Sequence, residues 1–265
     1  MAEPAERGAH HVQSLERGLA VIRAFGAGAP ELTLSDVARS TGLTRAAARR
    51  FLLTLVDLGY VRTDGKYFSL TARVLELGYA FLSSMTLPEV AQPHLERLSA
   101  EVRESSSVSV LDGADIVYVA RVAVSRIMTV SINVGTRFPA YATSMGHVLL
   151  AGLDDEGFAR YLEQAELQRL TSHTLTSPAA LRAELAAVRQ QGWALVDQEL
   201  EEGLRSVAAP IRDRQGRVVA AVNVSTHASR TPRETVIEEM VPPLLAAAKR
   251  IEGDLAVAPV QARRG

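Results

Sequence analysis

The stretch LTLSDVARSTGLTRAAARRFLLTLVDLGYV, residues 32–61, constrains this chain more than any other feature. Thr33 with Asp36 three residues on has the form of a capping box, a hydroxyl and a carboxylate each satisfying the other's backbone N–H. It opens a short helix through Val37 and Ala38, and Gly42 suits the left-handed residue that closes one. Thr44 caps a longer helix whose Ala48, Phe51, Leu52, Leu55 and Leu58 form the apolar stripe, and Gly59 stops it. Two helices joined by S-T-G-L-T make a helix-turn-helix unit. The runs YVRT and YFSL then flank D-G-K, and Asp64-Gly65 is a strong hairpin signal. Helix, helix, hairpin is the order of a winged helix-turn-helix.

Charge is concentrated in the same place. The 265 residues carry 29 Lys and Arg against 30 Asp and Glu, a formal net charge of −1. Yet positions 39–73 hold Arg39, Arg45, Arg49, Arg50, Arg62, Lys66 and Arg73 against only Asp57 and Asp64. A compact basic stretch on a near-neutral chain points to a local polyanion contact. On the second helix, Arg45 and Arg49 are four apart, and Ala46 and Arg50 repeat that spacing, so these residues share the side away from the stripe. The amino-terminal half of such a helix enters the major groove, where Arg takes guanine O6 and N7, and small Ala46 and Ala47 allow close approach. Arg62 and Lys66 of the hairpin would sit on flanking phosphates. The expected DNA-facing set is therefore Thr44, Arg45, Ala46, Arg49, Arg50, Arg62 and Lys66.

The rest of the chain alternates helical and strand-like patterns. QSLERGLAVIRAF spaces Leu15, Leu19, Ile22 and Phe25 at helical intervals before GAGAPE breaks it. Residues 72–85 read as a helix connecting two domains, and a second domain begins near Leu87-Pro88. A helix over 88–104 leads into SSVSVLD, D-G-A-D and IVYVARV, a hairpin pattern, with IMTVSI as a third strand. Helices are expected around 144–153 and 155–165, then over SPAALRAELAAVRQQG, capped by Ser177 and ended by Gly192. WALVD, SVAAPIRD and VVAAVNVS are further strands, the last two joined by R-Q-G, and a closing helix spans about 231–255. The reading is α+β: a winged helix-turn-helix domain over 12–71, a linker helix over 72–86, and a ligand-holding α/β domain over 87–256.

Composition, 47% apolar and 22% charged, suits a globular protein with a sizeable core. No apolar run approaches the ~20 residues that cross a bilayer, and MAEPAERGAHH lacks the basic start and apolar block of a secretory signal; a cytoplasmic protein is expected. With no cysteine there are no disulfides, thiolate nucleophiles or thiolate metal sites. The six histidines, His10, His11, His94, His147, His173 and His227, show no ligand spacing, so no metal is expected. There is no phosphate loop or dinucleotide fingerprint, and no cofactor is implied.

QSLERGLAVIRAF, LTLSDVARSTGLTRAAARRFLLTLVDLGYV, DGKYFSLTARVLELGYAFL, FPAYATSMGHVLLA, VDQELEEGLRSVAAPI and VVAAVNVS together resemble an IclR-family transcriptional regulator over about residues 12–256. TRAAARRFLLTL and DGADIVYVARV are similar to the branch controlling protocatechuate and 4-hydroxybenzoate catabolism through the β-ketoadipate pathway. The resemblance implies a winged helix-turn-helix, a linker helix, a GAF-like effector-binding domain, and homodimers or homotetramers on double-stranded operator DNA. It also implies an effector that is a small aromatic or dicarboxylic acid, with a glyoxylate- or pyruvate-like carboxylate as the alternative. Carried over by motif, the family's pocket would use Ser144, Met145 and Gly146 at a helix start, Asp197, Leu204 and Ser206, and an apolar wall of Ile127, Val130 and Phe138. Some relatives have Gly-Ala where this chain has Ser144-Met145, and a cysteine can occur at Ser206, so the pocket's shape is this chain's own.

A carboxylate effector needs a cation, and a guanidinium holds one bidentately. Arg121, Arg126, Arg137 and Arg205 are the candidates, with Arg137 and Arg205 nearest in sequence to the pocket motifs. Tyr118 and Tyr141 could pack against a ring. A remote alternative is hydrolysis: A-T-S-M-G is a relative of the nucleophile elbow, and Ser144, Asp197 and His227 fall in hydrolase triad order. Against it, G-T-R-F-P interrupts the strand an elbow requires, and no Gly-rich oxyanion loop precedes it. The expectation is a regulator without catalytic activity.

Overall fold

The computed structural model describes residues 11–26, 28–77, 86–124 and 132–257. Its internal contacts divide the chain into two units, Met1–Phe81 and Leu82–Gly265.

In the first unit, α1 (Gln13–Arg23), α2 (Leu34–Thr41) and α3 (Arg45–Asp57) pack over a three-stranded sheet. The local chemistry acts as expected. Thr33 Oγ1 accepts from the Asp36 amide while the Asp36 carboxylate accepts from the Thr33 amide, and both bonds satisfy helix-end donors. Gly42 sits at φ 66°, and Thr44 Oγ1 accepts from the Ala47 amide. The wing pairs β2 (Val61–Thr63) with β3 (Tyr67–Leu70), and Asp64 Oδ1 accepts from the amides of Lys66 and Tyr67 to hold the turn. A strand not expected, β1 (Glu31–Thr33), adds to the other edge of β3. Three residues are too few for an alternating pattern to be visible. The core is Val21, Phe25, Val37, Ala48, Leu52, Leu55, Val61 and Phe68. Leu15, Leu19 and Leu58, expected in the buried stripes, are instead exposed at 63, 45 and 51%; helical spacing puts them on a face but does not supply a neighbour to cover it.

The expected linker helix begins as a 3₁₀ turn over Ala72–Val74, and 78–85 lie outside the described residues. The second unit opens with α4 (Thr86–Val102) and continues through β4 (Ser105–Asp112), β5 (Asp115–Val122) and a short β6 (Arg137–Pro139). The IMTVSI strand lies, but for Ile132, outside the described residues. Next come α5 (Ser144–Ala151), α6 (Asp155–Gln164), α7 (Pro178–Gln191), β7 (Ala194–Asp197), β8 (Leu204–Arg212) and β9 (Val218–His227). A π-helical turn over Val236–Met240 leads into α8 (Val241–Val257). The sheet is antiparallel throughout, in the order β6-β5-β4-β9-β8-β7.

Strand side chains alternate between faces, and here each face meets its own helices. Val108, Leu195, Val207, Ala209, Val222 and Val224 pack with α4 and α8. Ile116, Tyr118, Ala194, Ala208 and Ala221 pack with α5, α6 and α7. At the contact of α5 with the preceding turn a Cβ on Gly146 would lie 1.9 Å from the Ala140 carbonyl oxygen, so only glycine fits there.

Candidate functional site

The first unit presents a basic face. Arg45, Ala46, Arg49 and Arg50 are exposed on the amino-terminal half of α3, and none of the three arginines has an acidic partner among the described residues. Arg45, Arg49 and Leu53, one turn apart each, line one wall of a cleft of about 480 Å³ whose other wall is Thr63, Gly65 and Lys66 of the wing. The Lys66 ammonium lies 5.0 Å from the Tyr67 ring centroid. Arg50 and Ala46 flank this cleft on the adjoining face of the helix and do not line it. Thr44 stays exposed at the helix start, its hydroxyl committed to the cap. Arg62 is placed differently: it opens on the outer face of the wing beside Glu31, with Nε donating to Ser69 Oγ at 3.0 Å.

The second unit encloses a small cavity at the start of α5, lined by Tyr118, Thr143, Ser144, Met145, Val196, Leu200, Leu204, Ser206, Asn223 and Ser225. It gathers four expected pocket residues, Ser144, Met145, Leu204 and Ser206. Ser206 Oγ donates to Ser144 Oγ at 2.9 Å, and both serines are buried. Thr143, not Ser144, is the cap: its Oγ1 accepts from the Gly146 amide, which leaves the Ser144 and Met145 amides as the helix's open donors. Phe138 approaches from β6, its ring edge-on to Tyr118 at 5.9 Å between centroids. Burial pushes the Tyr118 phenol up to about 12, so it remains a neutral donor. Asn223 and Ser225 were missed in the sequence, where V-N-V-S reads only as strand; the alternation that puts valines on one face aims these two into the cavity. Ile127 and Val130 lie outside the described residues.

Arg137, Tyr141, Gly146, Asp197 and Arg205, also considered for the pocket, do not line it. Arg205 and Ser206 are neighbours in sequence and therefore point to opposite faces of β8. Arg205 pairs with Asp197 at 2.8 Å and donates to the Thr231 carbonyl, on the α4–α8 side of the sheet, so neither member of that pair reaches Ser144. Arg137 sits exposed on β6, where it clamps the β4–β5 turn through Asp112 and Asp115; these carboxylates raise its already high pKa. Tyr141 is buried with its hydroxyl donating to the Gln168 carbonyl rather than facing the cavity. The suggested triad is not assembled: Ser144 bonds to Ser206, Asp197 to Arg205, and His227 Nδ1 lies 2.8 Å from Ser229 Oγ.

Deeper behind α5, His147 is fully buried with Nε2 at 2.7 Å from the Tyr141 carbonyl and 4.0 Å from Glu199. Burial lowers the imidazole to about 4 and raises the Glu199 carboxyl to about 7, both toward the uncharged form. Among the described residues no group of three or more His, Asp or Glu could hold a metal ion, and no helix is long and apolar enough to cross a membrane.

The sequence matches the family described as the IclR helix-turn-helix domain over residues 14–65 and that described as the bacterial transcriptional regulator IclR C-terminal over residues 79–253. It is 49% identical over 237 residues to the Pca regulon regulatory protein of Pseudomonas putida, covering 89% of this chain and 81% of that one. It is 39% identical over 237 residues to the p-hydroxybenzoate hydroxylase transcriptional activator of Acinetobacter baylyi, covering 88% of each. Among solved structures, an IclR homolog from Microbacterium hydrocarbonoxydans in complex with 4-hydroxybenzoate superposes with a TM-score of 0.80 at 29% identity, over 92% of this chain and 100% of that one. Since these matches run through both units, the chain belongs to the IclR family of bacterial transcriptional regulators.

Proposed function

We propose that this regulator grips its operator through α3 and the wing, and that a small aromatic acid of the protocatechuate or 4-hydroxybenzoate type, bound in the second unit, sets that grip. The observation that carries the reading is the chemistry gathered at the start of α5, buried hydroxyls, open helix amides and the nearby Tyr118–Phe138 ring pair, a mixture that matches a hydroxylated ring with an acid group; the space between them is about 10 Å³, so the site must widen to admit one. A relative bound to 4-hydroxybenzoate and close likeness to a Pca regulon regulator support the choice of acid.

At the operator, Arg45 and Arg49 read base edges in the major groove, Lys66 reaches a phosphate across the cleft, and Arg50 and Arg62 add flanking phosphate contacts. A homodimer presents two such helices, so the operator is a near-palindrome. The acid must bind one arrangement of the dimer better than the other, because equal affinity for both shifts nothing. The test has two arms. Thermal shift with protocatechuate, 4-hydroxybenzoate, glyoxylate and pyruvate should show a rise with the aromatic acids alone. Footprinting on the promoter next to the gene should then give a protected near-palindrome whose occupancy changes with the same acid. No protected DNA with or without acid would overturn the reading.

A further inference from the structure

Neither Arg137 nor Arg205 is free for a carboxylate, which raises the question of where the effector's charge is met. The sheet supplies one candidate. On the α5 side a row of polar side chains crosses three strands in register: Arg121 on β5 stands opposite Ser107 on β4, which stands opposite Asn223 on β9. Val108, Val222 and Val224, their strand neighbours, face the other way into the α4–α8 core. Asn223 already lines the cavity, and its Nδ2 donates to Ser225 Oγ at 2.9 Å. Arg121 and Ser107 do not line the cavity itself; they follow Asn223 across the same face of the sheet.

Among the described residues three buried polar atoms have no hydrogen-bond partner here: Arg121 Nε and Asn223 Oδ1 in that row, and Ser109 Oγ two residues along β4 opposite Tyr118. A buried polar atom left unpaired bears the full loss of its water, so such atoms gathered on one face mark a place where a ligand completes them. The Arg121 guanidinium is half-buried and donates through Nη1 to Ser107 Oγ at 3.0 Å. No acidic side chain pairs with it among the described residues. Burial lowers its pKa, and the neutral Tyr118 phenol lies near it on the same strand. Other arginines of this unit that point at an acid are spent: Arg205 on Asp197, Arg217 on Asp213, Arg230 on Glu104. With Nη1 held by Ser107, the edge formed by Nε and Nη2 remains, and that edge matches the two oxygens of a carboxylate.

We propose that Arg121, held in place by Ser107, is the anchor for the carboxylate of the effector, which then lays its ring against Tyr118 and Phe138 and its far polar group toward Asn223 and Ser206. This rests on the aromatic-acid reading above. Calorimetry on the full chain separates the two. Wild type should bind 4-hydroxybenzoate well and its neutral isostere 4-hydroxybenzamide poorly. Arg121→Gln should weaken the acid about 10- to 100-fold, the worth of a charged hydrogen-bonded pair, and change the amide less than about 3-fold. Arg121→Lys should fall between, since a point charge replaces a planar fork. If Arg121→Gln binds the acid like wild type, the anchor is wrong while the acid reading stands. A variant that loses acid and amide equally, with its melting transition intact, also overturns the anchor, because a merely structural role would not discriminate charge. Wild type that binds none of the aromatic acids removes both.

Discussion

Helix α3 and the sheet of the second unit treat most of their arginines in opposite ways. In the first, Arg45, Arg49 and Arg50 are exposed along one half of the helix with no acidic partner among the described residues. In the second, arginines are consumed by the fold: Arg205 locks β7 to β8 through Asp197 and Arg137 clamps a hairpin through Asp112 and Asp115, while on α7 Arg189 caps carbonyls of Ala151 and Leu153. An unpaired surface cation costs little to keep, because water solvates it, and it is ready for phosphate or guanine. A buried cation must be paired or it destabilises the fold. Position relative to acids, more than arginine content, thus separates recognition from architecture.

The contrast can be broken most forcefully at Arg205. Arg205→Met should cost about 3 kcal/mol in urea unfolding, the low end for breaking a buried pair, because the Asp197 side chain keeps 27% of its surface in water. A loss below about 1 kcal/mol would make the pair decorative. Arg49→Ala should cost about 1–3 kcal/mol of operator affinity in gel-shift titration while leaving urea unfolding unchanged; a stability loss with normal operator binding would invert the comparison. Lys66→Ala should weaken specific and non-specific DNA alike and lower the slope of log affinity against log salt by about one. The smallest effect belongs to Arg137→Ala. Its side chain is 44% exposed, so its two ion pairs are worth less than about 1 kcal/mol, and calorimetry should find acid binding intact. Impaired acid binding would return Arg137 to the pocket.

Much of the recognition unit was legible because its signals are local. The capping box at Thr33 and Asp36, the left-handed Gly42 and the Asp64-Gly65 turn each involve atoms within four residues of one another, so residue type alone specifies the geometry. The same holds for Ser177 and Gly192 around α7. The α3 arginines were legible for a related reason: once Ala48, Leu52 and Leu55 define the inside of a helix, the outside follows. Short β1 and β6 were not, since three residues carry too little period, and their edges exist only when a distant strand is present.

The cavity was half legible, and its errors share one cause. Nearness in sequence to a pocket motif made Arg205 and Arg137 attractive, yet on a strand the next residue faces the opposite side, and Arg137 is captured by acids 22 and 25 positions away. By itself the amino-acid order determined the capped helices α2, α3 and α7 and the wing, whose hydrogen bonds close within a few residues, and its alternation marked the longer strands β4, β5, β8 and β9. Tertiary structure alone decided that Leu15, Leu19 and Leu58 stay uncovered, that Asn223 and Ser225 join Ser144 and Ser206, and that Arg137 and Arg205 are taken up by acids while Arg121 has none among the described residues. Those outcomes depend on what long-range packing brings across a sheet face, and no local preference encodes it.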